Sequence, residues 1–151
     1  MNCMMWFGIL VVFFTATACT RTAEISVQGI NFNENQIAQG QQIYAQNCAS
    51  CHGANGEGQF PDAPLVPDST GRFGAPPHTG AGHTWHHGDE LLIRYVQEGG
   101  MGSPSSFYPM PAFGDSLTED DILLVIAYLK TLWNDEQRAY QQQATEAEHS
   151  N

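Results

Sequence analysis

The sequence predicts a mostly α-helical domain, with three to four helices connected by long loops. Apolar residues recur at helical spacing in three segments, and no segment alternates apolar and polar residues over the length of a strand. Gly and Pro are concentrated over residues 53–82, which predicts an ordered loop, and residues 101–115 form a second loop. With 151 residues, the chain has room for one compact domain with appendages.

The first nineteen residues have the pattern of an export signal. The apolar run from Met4 to Ala16 is shorter than the about 20 residues that a transmembrane helix needs. Small residues then precede Cys19, which resembles a bacterial lipoprotein signal, so we expect lipidation of Cys19. The alternatives are cleavage near Ala18 without a lipid and an uncleaved anchor. All three predict an exported domain, periplasmic or at the outer face of a bacterial membrane.

Residues 20–35 are polar and without periodicity, and we expect them to form a tether. An ordered extension packed on the domain is the alternative. The first helix is predicted over residues 35–47 from one helical stripe of residues, namely Ile37, Gly40, Gln41, Tyr44, Ala45 and Cys48. Gly40 lies within that stripe, where it either weakens the helix or permits close approach of another one.

Two further helices and a tail complete the predicted elements. The second helix covers Asp89–Glu98 and ends at Gly99–Gly100. The third begins after Thr118, an N-cap with Asp121 three residues later. Its buried stripe consists of Ile122, Val125, Ile126, Leu129 and Trp133. Residues 134–151 are predicted as a polar C-terminal tail that is helical at first and then frays.

The charge of the chain excludes one class of partner and permits another. Sixteen acidic and five basic residues give a formal net charge of −11. Nucleic-acid binding requires Lys and Arg to neutralise phosphates, so we expect no nucleic-acid partner. An acidic surface permits docking to a basic patch on a redox protein, although acidity alone often serves only solubility.

The segment Cys48-Ala49-Ser50-Cys51-His52 carries the chemistry. Two cysteines separated by two residues, in a turn leading into a helix, can each form a thioether with one vinyl group of a haem. The following residue, His52, then lies under the iron and supplies a neutral imidazole nitrogen. Together with an export signal, this pattern predicts one covalent haem c.

Three alternatives share the two cysteines. A thioredoxin-like dithiol requires a βαβ setting, whereas the residues before Cys48 are predicted to be helical. A zinc site would combine Cys48 and Cys51 with a pair such as His83 and His86. The third alternative is an unmodified disulfide.

The iron needs a sixth ligand or keeps an open position. Met110 lies between Pro109 and Pro111, which stiffen the chain and present the thioether with little loss of entropy. Met101 is the rival among glycines, and a histidine or no ligand is the remaining alternative. A thioether sulfur favours reduced iron and therefore a relatively high potential.

The segment from His83 to Asp89 contains three histidines and one tryptophan. The indole N–H of Trp85 can donate to a haem propionate, and Arg72 can do so with charge. The alternative is a second metal site for copper or zinc, built from His78, His83 and either His86 or His87.

The stretch over residues 36–133 resembles a class I c-type cytochrome domain. The matching features are Gly40 and Tyr44 before the Cys48–His52 motif, then Met110-Pro111-Ala112-Phe113, then Ala127-Tyr128-Leu129-Lys130. The resemblance implies a cytochrome c-like fold wrapped around one covalent haem, with His52 and Met110 as the two iron ligands. It also implies that the first and last helices cross near Gly40 and Tyr128.

One-electron transfer outside the cytoplasm is the function that this resemblance implies. The partners would be membrane or periplasmic redox proteins, such as a respiratory complex, an oxidase or a reductase. With both axial positions filled we expect an electron carrier and not an enzyme. The alternatives are a haem enzyme or sensor for peroxide or small gases, which needs an open iron position, and a fixed haem subunit of a respiratory complex.

Overall fold

The computed structural model describes residues 24–150, which form a short hairpin and five α-helices. The elements are β1 (Ile25–Val27), β2 (Ile30–Phe32), α1 (Glu34–Asn47), α2 (Ala49–His52), a 3-10 turn (Thr84–His86), α3 (Asp89–Glu98), α4 (Glu119–Thr131) and α5 (Asp135–Glu148). The export signal over residues 1–19, with its candidate lipidation site Cys19, lies outside the described residues. None of the helices in the described range is long and apolar enough to cross a membrane.

The helices predicted over residues 35–47 and 89–98 are confirmed, as is the one that follows Thr118. The Thr118 hydroxyl accepts from the Asp121 N–H at 3.1 Å, and the Asp121 carboxylate accepts from the Thr118 N–H at 3.0 Å. These reciprocal bonds are a capping box, which satisfies donors that the first turn leaves unpaired. Helix α4 therefore begins where two neighbouring side chains of the sequence cap it.

Helices α1 and α4 cross at Gly40, which the resemblance implied. A Cβ at Gly40 would lie 2.0 Å from the Leu124 carbonyl oxygen and 3.3 Å from the Tyr128 Cβ. Next to this crossing, the rings of Tyr44 and Tyr128 are 5.2 Å apart. The expected crossing near Gly40 and Tyr128 is confirmed, although α4 is followed by a further helix and is not the last one. All five residues of the predicted α4 stripe are buried.

Residues 24–35 do not form a tether. Strands β1 and β2 pair in antiparallel register, with Ile25 opposite Phe32 and Val27 opposite Ile30. Val27 is fully buried, Ile25 and Phe32 are also buried, and β1 packs against α4. The tether prediction is wrong for this part of the chain because three residues of alternation are too few to mark a strand in the sequence.

The C-terminal tail is also not frayed: α5 extends to Glu148 and packs against the 3-10 turn and α3. Buried polar side chains make part of these contacts. The Gln141 and Thr145 side chains are buried, and the Thr145 hydroxyl accepts from the Asp89 N–H at 3.1 Å. The prediction of a fraying tail is wrong because polar docking leaves no apolar stripe for sequence analysis to find.

A buried ion pair joins the added elements to the helical core. The Lys130 Nζ lies 2.7 Å from the Asp89 carboxylate, and their side chains are only 4% and 2% exposed. Asp89 also accepts from the Gln28 N–H and the Gln141 amide, each at 2.7 Å, and Lys130 donates to the Ser26 carbonyl at 2.6 Å. Removing one partner of such a pair costs about 3–5 kcal/mol, because the other charge stays buried and unpaired. The hairpin and α5 thus depend on α3 and α4 for their position.

Candidate functional site

The motif predicted from the sequence lies where α1 turns into the single-turn helix α2. The Cys48 N–H donates to the Tyr44 carbonyl at 2.8 Å, and the His52 N–H donates to the Cys48 carbonyl at 2.9 Å. Cys48 is half-buried, Cys51 is exposed, and His52 is 6% exposed. This turn brings Cys48, Cys51 and His52 together as the spacing predicted.

The environment of Cys48 and Cys51 disfavours the redox dithiol, the zinc site and the disulfide that the same two cysteines could form. Cys48 and Cys51 are not joined to each other by a disulfide, and burial raises the pKa of Cys48 to about 11, with the nearby Cys51 adding to the rise. A redox dithiol needs a lowered pKa at its attacking cysteine. Over residues 24–150, no group of three or more His, Cys, Asp or Glu side chains is arranged to hold a metal ion. These observations oppose the dithiol, the disulfide and the zinc site.

His52 is held in one tautomer. Its Nδ1 lies 2.9 Å from the Pro76 carbonyl oxygen. Since a carbonyl can only accept, Nδ1 carries the hydrogen, and Nε2 keeps its lone pair for a metal. Burial lowers the pKa of His52, and the hydrogen bond to Pro76 opposes this shift. The result is a neutral, oriented imidazole, which is the form that binds haem iron.

Tyr44 fixes the chain immediately after the motif. Its hydroxyl donates to the Gly53 carbonyl at 2.8 Å, and its ring is 1% exposed. Gly53 has φ = +83°, a conformation that favours glycine. The same helix that crosses α4 at Gly40 therefore also sets the direction in which the chain leaves His52.

Met110 is half-buried, packs against the core and is held by the end of α3. The Gly100 N–H donates to the Met110 carbonyl at 3.1 Å. Gly99 has φ = +89°, and a Cβ there would lie 2.8 Å from the same carbonyl. Met101, the rival, is 44% exposed. The glycines that end α3 thus also permit the close approach of the Met110 segment.

The two long loops are joined to each other beside Met110. Phe73 donates its N–H to the Ser106 carbonyl at 2.8 Å and accepts from the Tyr108 N–H at 3.1 Å. The Tyr108 hydroxyl donates to the Asp68 carboxylate at 2.6 Å. These three hydrogen bonds, which we call the Phe73–Tyr108 clasp, order the first loop, as predicted, and connect it to the segment that contains Met110.

Trp85 does not present its N–H as the sequence analysis expected. The indole N–H donates to the Gly82 carbonyl at 3.0 Å, and the ring packs against His86 and Tyr140 of α5. An indole has one N–H, so this contact uses the donor that was assigned to a haem propionate. The expected bond from Trp85 to a propionate is therefore not supported, and Trp85 instead joins the 3-10 turn to α5.

The Arg72 guanidinium forms no ion pair with a carboxylate of the described residues. Its Cζ lies 5.7 Å from the centre of the Tyr108 ring, within the range of a cation–π contact. Among the described residues, the other three cations form ion pairs with carboxylates, namely Lys130 with Asp89, Arg94 with Glu98 and Arg138 with Asp135. Arg72 is therefore the described cation whose charge is left for another group.

Over residues 24–150, the structure does not bring His78, His83 and His86 or His87 together as one group of metal ligands. The rings of His83 and His87 are 5.4 Å apart and edge-on, and His86 packs on Trp85. No metal-binding cluster is found in the part of the chain that the structure describes. The ring of His78 lies against that of His52, with ring centres 4.1 Å apart.

This helical fold, with a neutral buried histidine directly after two cysteines in one turn, defines a haem protein of the c type. Residues 37–133 match the family model Cytochrome c, and the chain belongs to the cytochrome c family. It is 30% identical over 114 residues to cytochrome c6 of Picosynechococcus sp., which covers 76% of this chain and 88% of that protein. Its cofactor is therefore covalently bound haem c, and its chemistry is haem-mediated electron transfer.

A solved structure shares the fold. Cytochrome cL of the marine methylotrophic bacterium Methylophaga aminisulfidivorans superposes with a TM-score of 0.54 at 18% identity. The match covers 80% of this chain and 71% of that one. The hairpin and α5 lie outside the residues that match the family model.

Sequence reasoning did not find two residues that contact His52. Pro76 is one of several prolines in the first loop, and its bonded partner lies 24 residues earlier. His78 was grouped with the other histidines as a candidate metal ligand. Neither role has a signal in spacing, because both depend on how the loop folds back over the motif.

Proposed function

We propose that the chain is a one-electron carrier whose haem is attached through Cys48 and Cys51 and ligated by His52 and Met110. The observation that carries this proposal is the geometry of His52. It follows Cys51 in a single turn, it is buried, and its Nδ1–H is held by the Pro76 carbonyl. The free Nε2 is the atom that would bind iron.

When bound, haem c supplies an iron that alternates between the ferric and ferrous states. The two cysteines would hold the group covalently, and Pro76 keeps the His52 imidazole in the tautomer that can bind iron. The Met110 thioether, as the second ligand, would favour the ferrous state. Because backbone hydrogen bonds hold the segments of both ligands, little needs to move when one electron arrives or leaves. We propose Arg72 as a partner for a haem propionate, which its unpaired charge supports.

A carrier is a better proposal than an enzyme or a sensor for peroxide or gases. Those activities need an open position on the iron. The Met110 backbone is held at Gly99–Gly100 and its side chain packs against the core, which supports a filled sixth position.

The covalent attachment is tested by the pyridine haemochrome spectrum of protein expressed with a haem-attachment system. We expect the spectrum of haem bound through both thioethers, with one haem per chain. Cys51→Ala removes one thioether and is expected to shift the α-band towards that of a haem with one free vinyl group. Ser50→Ala, between the two cysteines, is the matched control and should leave the band in place. If acidified acetone extracted the haem from the unaltered protein, the haem would not be covalently attached, and the proposal would be contradicted.

We further propose that the carrier docks to a basic patch on a redox partner, such as a respiratory complex, an oxidase or a reductase. Support comes from the net charge of −11 and from the pairing of all described cations but Arg72. Opposite charges on the two proteins would steer their encounter and speed association at low ionic strength.

We propose export to the periplasmic side of a bacterial membrane and lipidation of Cys19. The apolar run and the small residues before Cys19 support this. Cys19→Ser in the full chain is expected to move the mature protein from the membrane fraction to the soluble fraction, because the acyl chains are lost. Cys3→Ser is the control and should remain in the membrane fraction. A Cys19→Ser protein that stays with the membrane would contradict lipidation and favour an uncleaved anchor.

A further inference from the structure

The ring of His78 covers one face of the His52 ring. The two ring centres are 4.1 Å apart and the planes differ by 25°, which is a stacked arrangement. We propose that His78 is a positioning residue that fixes the rotation of the His52 imidazole about its bond to the iron. This inference rests on the proposed function, since it takes His52 as the iron ligand.

The His78 side chain is itself held in place. Its Nδ1 lies 2.9 Å from the Thr84 hydroxyl, and that hydroxyl donates to the Pro77 carbonyl at 3.4 Å. A hydroxyl has one hydrogen, so Thr84 accepts from His78, and the Nδ1 of His78 carries its hydrogen. Thr84 is buried, and Tyr44 packs edge-on against His78 with ring centres 6.3 Å apart. The stacked ring therefore has little freedom to turn.

The backbone of His78 is held as firmly as its side chain. Its N–H donates to the Gly56 carbonyl at 2.7 Å, and its own carbonyl accepts from the Trp133 indole at 2.7 Å. Pro76, whose carbonyl accepts from the His52 Nδ1–H, lies two residues earlier in the same segment. One short segment over residues 76–78 thus contacts His52 both at its Nδ1 edge and on its face.

The two contacts restrain different motions. The hydrogen bond to Pro76 fixes which edge of the imidazole faces the loop, but a single such bond tolerates a swing of the ring plane, since acceptor geometry at a carbonyl is broad. A ring stacked at 4.1 Å blocks the swing towards its own side by direct contact. His78 thereby completes the orientation that Pro76 begins, in the way that groups behind a metal ligand commonly orient it.

The orientation of an axial imidazole is measurable in ferric haem, because it sets how the unpaired electron is distributed over the macrocycle. The order and spacing of the haem-methyl proton resonances report this distribution. The identity of the ligands is reported separately, by the near-infrared band of methionine bound to ferric iron. A residue that only positions His52 should therefore change the haem-methyl resonances and leave the near-infrared band unchanged.

The test compares ferric holoprotein carrying His78→Leu with the unaltered protein by proton NMR. We expect the order or spacing of the haem-methyl resonances to change while the near-infrared band is retained. His78→Phe keeps a planar ring on His52 and should stay closer to the unaltered pattern. His83→Leu is the control, since His83 packs on His87 and not on His52. Unchanged haem-methyl resonances in His78→Leu would overturn the proposal.

A second variant covers the case in which His78→Leu does not mature. Thr84→Val keeps the size of the side chain but removes the acceptor that orients His78. We expect a smaller change in the haem-methyl pattern, and a pattern identical to that of the unaltered protein would overturn the proposal. Absence of covalent haem in the unaltered protein would instead contradict the proposed function, so the two failures are distinguishable.

Discussion

Met110→Ala is expected to lower the midpoint potential by on the order of 0.2 V, within the about 0.8 V range over which axial ligands set haem potentials. The thioether favours ferrous iron, and alanine provides no ligand to replace it. We also expect the near-infrared band of methionine-bound ferric iron to disappear and carbon monoxide to bind rapidly to the ferrous protein. Voltammetry and optical titration measure these effects. The helical fold should persist, because Met110 lies in a loop beside the core.

Met101→Ala is the matched control for this prediction. Met101 is 44% exposed and lies among glycines, so its loss should leave both the potential and the band unchanged. A band that persists in Met110→Ala and disappears in Met101→Ala would identify Met101 as the ligand. A band absent already from the unaltered protein would favour an open iron position and the enzyme or sensor alternative.

Gly40→Ala is expected to destabilise the protein by about 3 kcal/mol, the upper part of the usual range for overpacking. In an exposed helix the same change would stabilise by about 1 kcal/mol, because alanine is the better helix former. At this crossing, however, the new Cβ would lie 2.0 Å from the Leu124 carbonyl oxygen, which is backbone and cannot rotate away. Helices α1 and α4 would have to separate. Denaturation of the ferric holoprotein by guanidinium chloride measures the free energy of unfolding.

Gln39→Ala is the control, since Gln39 is adjacent in α1 but exposed. We expect a change within about 0.5 kcal/mol, as for surface substitutions in general. Equal stability of Gly40→Ala and the unaltered protein would mean that the crossing can widen without cost. Separation of α1 from α4 is also expected to displace Cys48, because the Cys48 N–H is hydrogen-bonded to the last turn of α1.

Local patterns were sufficient wherever the determining contacts lie within a few residues. The start of α4 follows from Thr118 and Asp121, which bond each other, and the buried face of α4 follows from apolar residues at helical spacing. The Cys48–His52 motif is equally local, since one turn brings its three reactive side chains together. The path of the loop between this motif and α3 could not be predicted in this way, because contacts between distant residues hold it, such as the bond from the Phe73 N–H to the Ser106 carbonyl.

Long-range contacts decided the elements that the sequence analysis missed. The hairpin is ordered because Val27 is buried in the core and Lys130 donates to the Ser26 carbonyl, 104 residues away along the chain. Helix α5 docks through polar groups that meet Asp89, which lies 52 residues before Gln141. The composition of α5 does not predict such contacts, because a polar residue that is buried and hydrogen-bonded is of the same type as one in contact with water.

The sequence by itself determined α1, α3, α4 and the class of cofactor chemistry, because capping, helical periodicity and the Cys48–His52 spacing act over one or two turns. Only the tertiary structure decided how His52 is oriented, because Pro76 and His78 reach it by the folding of a loop. It also decided that the Trp85 indole N–H bonds to the Gly82 carbonyl, because the partner of a single N–H depends on which acceptor the fold brings closest.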